Sequence, residues 1–138
     1  MKLVVVDASV LFACLAKDGR TRDVFMTTTA SLVAPPFLLE EAKSLLPKAA
    51  HRAGIHEDIL RGVFDHLVSF ICVMTPDSYL HKRAEGQRLC RDADAWGDDE
   101  YVALALALDA PIWTFDHDFG RIPGIRIATT QELDVGSS

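Results

Sequence analysis

The chain has little cysteine, no long apolar run and no surplus of positive charge. Its three cysteines, Cys14, Cys72 and Cys90, are odd in number and lack CxxC spacing. Neither a disulfide framework nor a zinc site is expected, and all three read as small buried hydrophobes of a reducing compartment. No window reaches the roughly 18 consecutive apolar residues of a membrane span. Lys2 to Val6, followed by Leu11-Phe12-Ala13-Cys14, superficially looks like a lipoprotein leader. Asp7 interrupts that stretch, and Asp is among the residues least tolerated there. A cytoplasmic protein with no membrane partner is expected. Acidic residues number 20 against 14 basic, a formal net charge of −6. That balance argues against a generic DNA-coating protein, which would normally carry a basic stripe. It leaves room for an enzyme acting on nucleic acid, because divalent cations reverse the local sign of a carboxylate pocket. There is no internal repeat, low-complexity tract or linker. One domain over residues 1–134, with a disordered tail over 135–138, is the expectation.

What the chain does have is a central stretch from Asp98 to Asp118, DDEYVALALALDAPIWTFDHD. Tyr101 to Leu108 is apolar except for one hydroxyl, rich in strong helix formers, and bounded by acids. Asp98 or Asp99 sits where an N-cap belongs, and Asp109-Ala110-Pro111 stops the helix. Ile112 to Phe115 reads as a strand, with Asp116 and Asp118 after it.

Ahead of it, Lys2 to Val6 has the Val-rich composition of a strand covered on both faces. Ser9 is expected to cap the helix that follows, leaving Asp7 free to point past the sheet edge. A second short helix over 20–30 precedes a strand at Leu32-Val33-Ala34. The segment from Phe37 reads as helical to Ala53, with Pro47 kinking or dividing it and Gly54 ending it. Glu41 shares a face with Phe37, Leu38 and Leu45, while Glu40 falls towards solvent. His56 to Val68 is an amphipathic helix whose stripe is Ile59, Leu60, Val63, Phe64 and Leu67. Ser69 to Val73 is a strand, Asp77 to Asp92 a helix with Tyr79, Leu80 and Ala84 inward, and Ile125 to Ala128 a last strand. Alternation of this kind argues for a three-layer α/β fold with a largely parallel sheet.

Four acids stand out by position: Asp7 after the first strand, Glu41 on an inward helix face, Asp98 at a helix start and Asp116 after a later strand. Asp118 is a fifth. In open α/β sheets ligands collect at strand C-terminal ends. Clustered carboxylates repel, and hard divalent cations remove that penalty. All-oxygen ligands suit Mg2+ or Mn2+. Acids holding such ions at a sheet edge are suited to phosphodiester hydrolysis.

VVVDASVLFA, APPFLLEEAKSLL and DDEYVALALALDAPIWTFDHDF, in that order, resemble the PIN domain, a metal-dependent nuclease family. The resemblance implies a PIN-like, flavodoxin-like parallel sheet and a single-strand-cutting endoribonuclease using Mg2+ or Mn2+. It implies that Asp7, Glu41, Asp98 and Asp116 are the catalytic metal-binding acids, with Asp118 an auxiliary acid. Ser9 and Thr114 look like the hydroxyl residues that brace the acids. Small single-domain members are mostly toxins of VapBC-type toxin–antitoxin pairs. The resemblance therefore also implies a homodimer, an RNA substrate and a small antitoxin partner. Apolar faces around Phe12, Phe37 and Phe64 suit a dimer or antitoxin groove. Arg20, Arg22, Lys43, Arg52, Arg121 and His117 are candidate RNA contacts. A non-catalytic nucleic-acid or partner-binding module of the same fold, or a nuclease of RNA maturation, is the alternative. A receiver-like phosphate-transfer domain is a further alternative, but this chain lacks the well-placed Lys after a fifth strand that it would need.

Overall fold

A computed structural model describes residues 2–16 and 19–135; residues 136–138 of the expected tail lie outside them. Five strands form one sheet: β1 (Leu3–Val6), β2 (Ser31–Ala34), β3 (Ile71–Val73), β4 (Ile112–Trp113) and β5 (Ile127–Ala128). Their order is β3-β2-β1-β4-β5, and every pairing is parallel. Among the described residues seven helices accompany them: α1 (Ala8–Leu15), α2 (Gly19–Thr27), α3 (Phe37–Ala53), α4 (Glu57–Val68), α5 (Arg83–Asp92), α6 (Asp99–Leu108) and α7 (Thr130–Leu133).

β1 is the central strand, and its valines Val4, Val5 and Val6 are fully buried. A strand with helices on both faces has no polar side to show. Val5 faces Val33 on one neighbour and Ile112 on the other, and Val6 faces Trp113. The chain steps outward through β2 and β3, then returns to place β4 on the other side of β1. Right-handed crossovers then put α1, α3 and α4, which contact one another, on one face. The packed pair α5 and α6 covers the other, with α6 against β1. The connections leaving β1 and β4 diverge, so the crevice at their C-terminal ends is the topological switch point of the sheet.

Several elements differ from the sequence expectation for local reasons. Asp7, not Ser9, is the N-cap of α1, accepting from the Ser9 and Val10 amides. Pro47 neither ends nor divides α3, which runs unbroken for 17 residues to Gly54 in the left-handed region. The start of the expected helix at 77 is instead two 3-10 turns, Pro76–Ser78 and Leu80–Lys82, before α5 begins at Arg83. A 3-10 turn advances 120° per residue rather than 100°. The inward phase is therefore lost, leaving Leu80 at 60% exposure and Ala84 exposed while Tyr79 is buried. On α4 the expected stripe is narrower: Leu60, Phe64 and Leu67 are buried, whereas Ile59 and Val63 face out. Phe64 belongs to the core rather than to a surface groove, and Cys72 is exposed rather than buried.

Candidate active site

Asp7 is the single residue between the last residue of β1 and the first of α1, with extended backbone. Its Oδ1 accepts from the Ser9 amide (3.1 Å), the Ser9 hydroxyl (2.6 Å) and the Val10 amide (3.4 Å). Its Oδ2 accepts from the Thr114 hydroxyl, which comes from the end of β4. Ser9 Oγ also accepts the Phe115 amide at 2.9 Å, and Thr114 Oγ1 accepts the Asp116 amide at 2.9 Å. Two hydroxyls thus stitch the end of β1 to the loop after β4. The same loop carries Asp116, whose Oδ1 takes the Asp118 amide at 2.9 Å.

Asp98 comes from the other face of the sheet. Gly97, at φ 89°, turns the chain into it, and the Asp98 backbone carbonyl accepts the Val102 amide at 3.1 Å. Asp98 occupies the N-cap position of α6 but makes no side-chain cap bond. Its carboxylate turns into the switch-point crevice instead. The start of α6 is held by a close approach to α5 at Gly86. A Cβ there would lie 2.9 Å from the Asp99 carbonyl oxygen and 3.1 Å from the Ala103 amide nitrogen. One turn beyond Asp98, the buried Tyr101 donates its hydroxyl to Glu41 Oε1 at 2.8 Å. The sequence showed Tyr101 only as the one polar group in an apolar run. That hydroxyl ties α6 to α3.

Asp7, Ser9, Glu41, Asp98 and Asp116 line one cavity of about 680 Å3, together with Phe12, Lys48, Arg52 and Phe115. Carboxylate oxygens of Asp98, Asp116 and Asp118 lie within 4.8 Å of one another. The tight acidic trio thus includes Asp118 and not Asp7 or Glu41. Asp99 and Glu40 stay outside the cavity; Glu100 instead accepts the Tyr79 hydroxyl at 2.9 Å. Asp118 is held by Arg121 at 3.0 Å, which also donates to the Asp94 carbonyl at 3.3 Å.

The electrostatics record the crowding. Asp98 is pushed up to about 7, first by burial, then by the charges of Asp116, Asp7, Asp118 and Glu41. Asp7 is raised to about 6 by burial, although its bonds from Ser9, Thr114 and Val10 pull the other way. The Tyr101 hydroxyl is raised further, by burial and by Glu41. Most buried polar atoms find a hydrogen-bond partner. Asp98 Oδ2 is fully buried and has none among the described residues. An all-oxygen donor set around an unpartnered buried carboxylate oxygen fits a hard divalent cation. It does not fit zinc, for which nitrogen or sulfur ligands are usual.

Of the basic residues read from sequence, Arg52 lines the cavity, and Lys48, not singled out there, joins it. Arg20 pairs with Asp134, Arg22 donates to the Cys14 carbonyl and Arg121 pairs with Asp118. Lys43 is exposed, and His117 borders a second cavity beyond Phe115.

An acid-lined crevice at the switch point of a parallel α/β sheet has the oxygen-donor set that hard-cation sites of phosphoryl chemistry use. Residues 5–137 match the PIN domain, and the chain belongs to that family, whose members are generally nucleases. Among solved structures it is similar to PAE2754 from Pyrobaculum aerophilum, at 18% identity and TM-score 0.68, covering 91% of this chain and 83% of that one. It is also similar to DNA-bound VapBC from Salmonella typhimurium, at 19% identity and TM-score 0.68, covering 94% and 99%. VapBC2 from Rickettsia felis, bound to a fragment of its promoter DNA, aligns at 12% identity and TM-score 0.67, covering 92% and 98%. No curated protein matches the chain in sequence. No helix among the described residues is long and apolar enough to cross a membrane.

Proposed function

We propose that the protein is a Mg2+- or Mn2+-dependent endoribonuclease, the toxin of a VapBC-type toxin–antitoxin pair. The observation that carries the proposal is Asp98 Oδ2, buried without a partner among four other acids. Asp98, Asp116 and Asp118 would hold the cation, with Asp7 and Glu41 facing the same space. When bound, the cation supplies charge neutralisation for the phosphate and activation of a water. The chain's own part is placement. Ser9 and Thr114 fix Asp7, the Asp7–Thr114 link holds β1 against the Asp116 loop, and Tyr101 fixes Glu41. Hydrolysis would proceed by in-line attack and leave a 5′-phosphate and a 3′-hydroxyl.

Resemblance to the two VapBC structures supports an antitoxin partner; a homodimer and a cytoplasmic site of action belong to the same proposal. The outward stripe Ile55, Ile59 and Val63 on and before α4 supports a protein partner. The test is cleavage of RNA by the purified chain with Mg2+, with Mn2+ and with chelator. Cleavage should require the ion and be lost in Asp98→Asn and Asp7→Asn variants that keep the parent circular dichroism. Either variant cutting at the parent rate sinks the site. RNA binding without ion-dependent cleavage would select the non-catalytic module. Growth arrest on expression, relieved by a small protein encoded beside it, tests the toxin role.

A further inference from the structure

The cavity is not acidic throughout. From Glu41, α3 continues to line it with Leu45, Lys48 and Arg52, at offsets of four, seven and eleven residues. Those offsets keep one helical face turned to the cavity. Lys48 stands about 10 Å along the helix from Glu41 and Arg52 about 16 Å, at 1.5 Å per residue. Arg20, Arg61, Lys82, Arg88, Arg121 and Arg126 are paired to acids. Lys48 and Arg52 have no ion-pair partner among the described residues. In a chain of net charge −6, this is a local cationic ledge running away from the acids.

Phe115 lines the same cavity, with 45% of its surface exposed. Its backbone is pinned by the bond from its amide to Ser9 Oγ and by the flanking Thr114–Asp116 turn. It borders both the acidic cavity and a second one of about 450 Å3 lined by His117, Gly120 and Ile127. A large ring on a fixed backbone between two cavities is a platform ready for a flat partner.

We propose that single-stranded RNA crosses this cleft with its backbone along α3, phosphates held by Lys48 and Arg52, and one base beside the cut stacked on Phe115. This rests on the nuclease reading and adds the path of the strand and the residues that hold it. Charged grooves combined with aromatic platforms are how unpaired strands are held, because every base has a face to stack. In an A-form duplex the bases are already stacked on one another and are not offered to a side chain.

The test uses the full chain carrying Asp98→Asn, which holds the RNA uncut, and short strands with 2-aminopurine at successive positions. One position should be quenched on binding. Phe115→Ala should abolish that quenching and weaken binding about tenfold, while Phe115→Tyr should preserve both. The Lys48→Ala, Arg52→Ala double variant should keep the quenching. It should flatten the slope of log affinity against log salt by about 1.4, at roughly 0.7 per phosphate contact. A blunt duplex should bind more weakly than the strand. Unchanged quenching in Phe115→Ala, an unchanged salt slope in the double variant, or equal duplex binding overturns the proposal. The two readings fail separately. RNA that the parent chain leaves uncut in Mg2+ or Mn2+, yet that still stacks, removes the nuclease and leaves the groove; RNA that the parent chain cuts, with binding indifferent to these variants, does the reverse.

Discussion

At the scale of single residues, the decisive group is Asp98. Its carboxyl binds a proton more tightly in the folded chain, at about 7, than at the ordinary value of 3.8. A raised acid adds stability that is present below the unfolded value and lost as pH climbs through the folded one. The metal-free fold should therefore lose stability between pH 4 and 7, and Asp98→Asn should escape that loss. We expect the variant to exceed the parent at pH 8 by on the order of 2 kcal/mol, with the difference vanishing towards pH 4, in paired thermal melts. By the same sign, Mg2+ or Mn2+ should raise the parent Tm more at pH 8 than at pH 5, and raise the variant little. Tyr101 gives a second prediction. Tyr101→Phe removes the hydroxyl that holds Glu41 but keeps the buried ring. It should cost only about 1 kcal/mol of stability, yet lower RNA cleavage several-fold, as read by initial rates. Little of this was legible in the sequence. That acids follow strands was plain from Asp7 and Asp116. That Asp7 would cap α1 while Ser9 donated to it was not, because both residue types cap helices and only the loop from β4 decides between them.

At the scale of elements, the contact of α5 with α6 sets where Asp98 stands. Gly86→Ala would drive a methyl against the Asp99 carbonyl and the Ala103 backbone, neither of which is a flexible tip. It should destabilise the fold by about 1–3 kcal/mol and depress metal-dependent cleavage in the population that remains folded. Denaturant midpoints and metal titration separate the two effects. Elements with strong periodicity or composition were readable: β1 from its valines, α3 from its apolar face, α6 from its alanines and leucines. The segment from Pro76 to Lys82 was not, because 3-10 turns shift the phase that an α-helical reading assumes. On the face of α3 beyond Leu45, Arg52 was readable as a candidate RNA contact, whereas Lys48 and the continuity of that face with Glu41 were missed. Lys48 and Arg52 resemble ordinary solvated charges until α1 and the Asp116 loop close the cavity around them.

At the scale of the whole molecule, the two tryptophans report different things. Trp113 is fully buried beside Phe25, whereas Trp96 is 71% exposed. In Trp96→Phe, emission should start blue and shift red in one transition on urea unfolding, coincident with the loss of helical circular dichroism. Separated transitions would show that the sheet and the helices unfold independently. The alternation of strands and helices made the three-layer architecture legible at this scale. The side of β1 to which the chain returns was not, since strand order depends on packing between segments about a hundred residues apart. That return has a consequence for synthesis. The central strand is made before its neighbours, but the strand that completes its acidic mouth follows only about a hundred residues later. A ribosome that stalls, or a message that breaks, before Asp116 would release an inert product. The acidic mouth therefore exists only once both strands have left the ribosome.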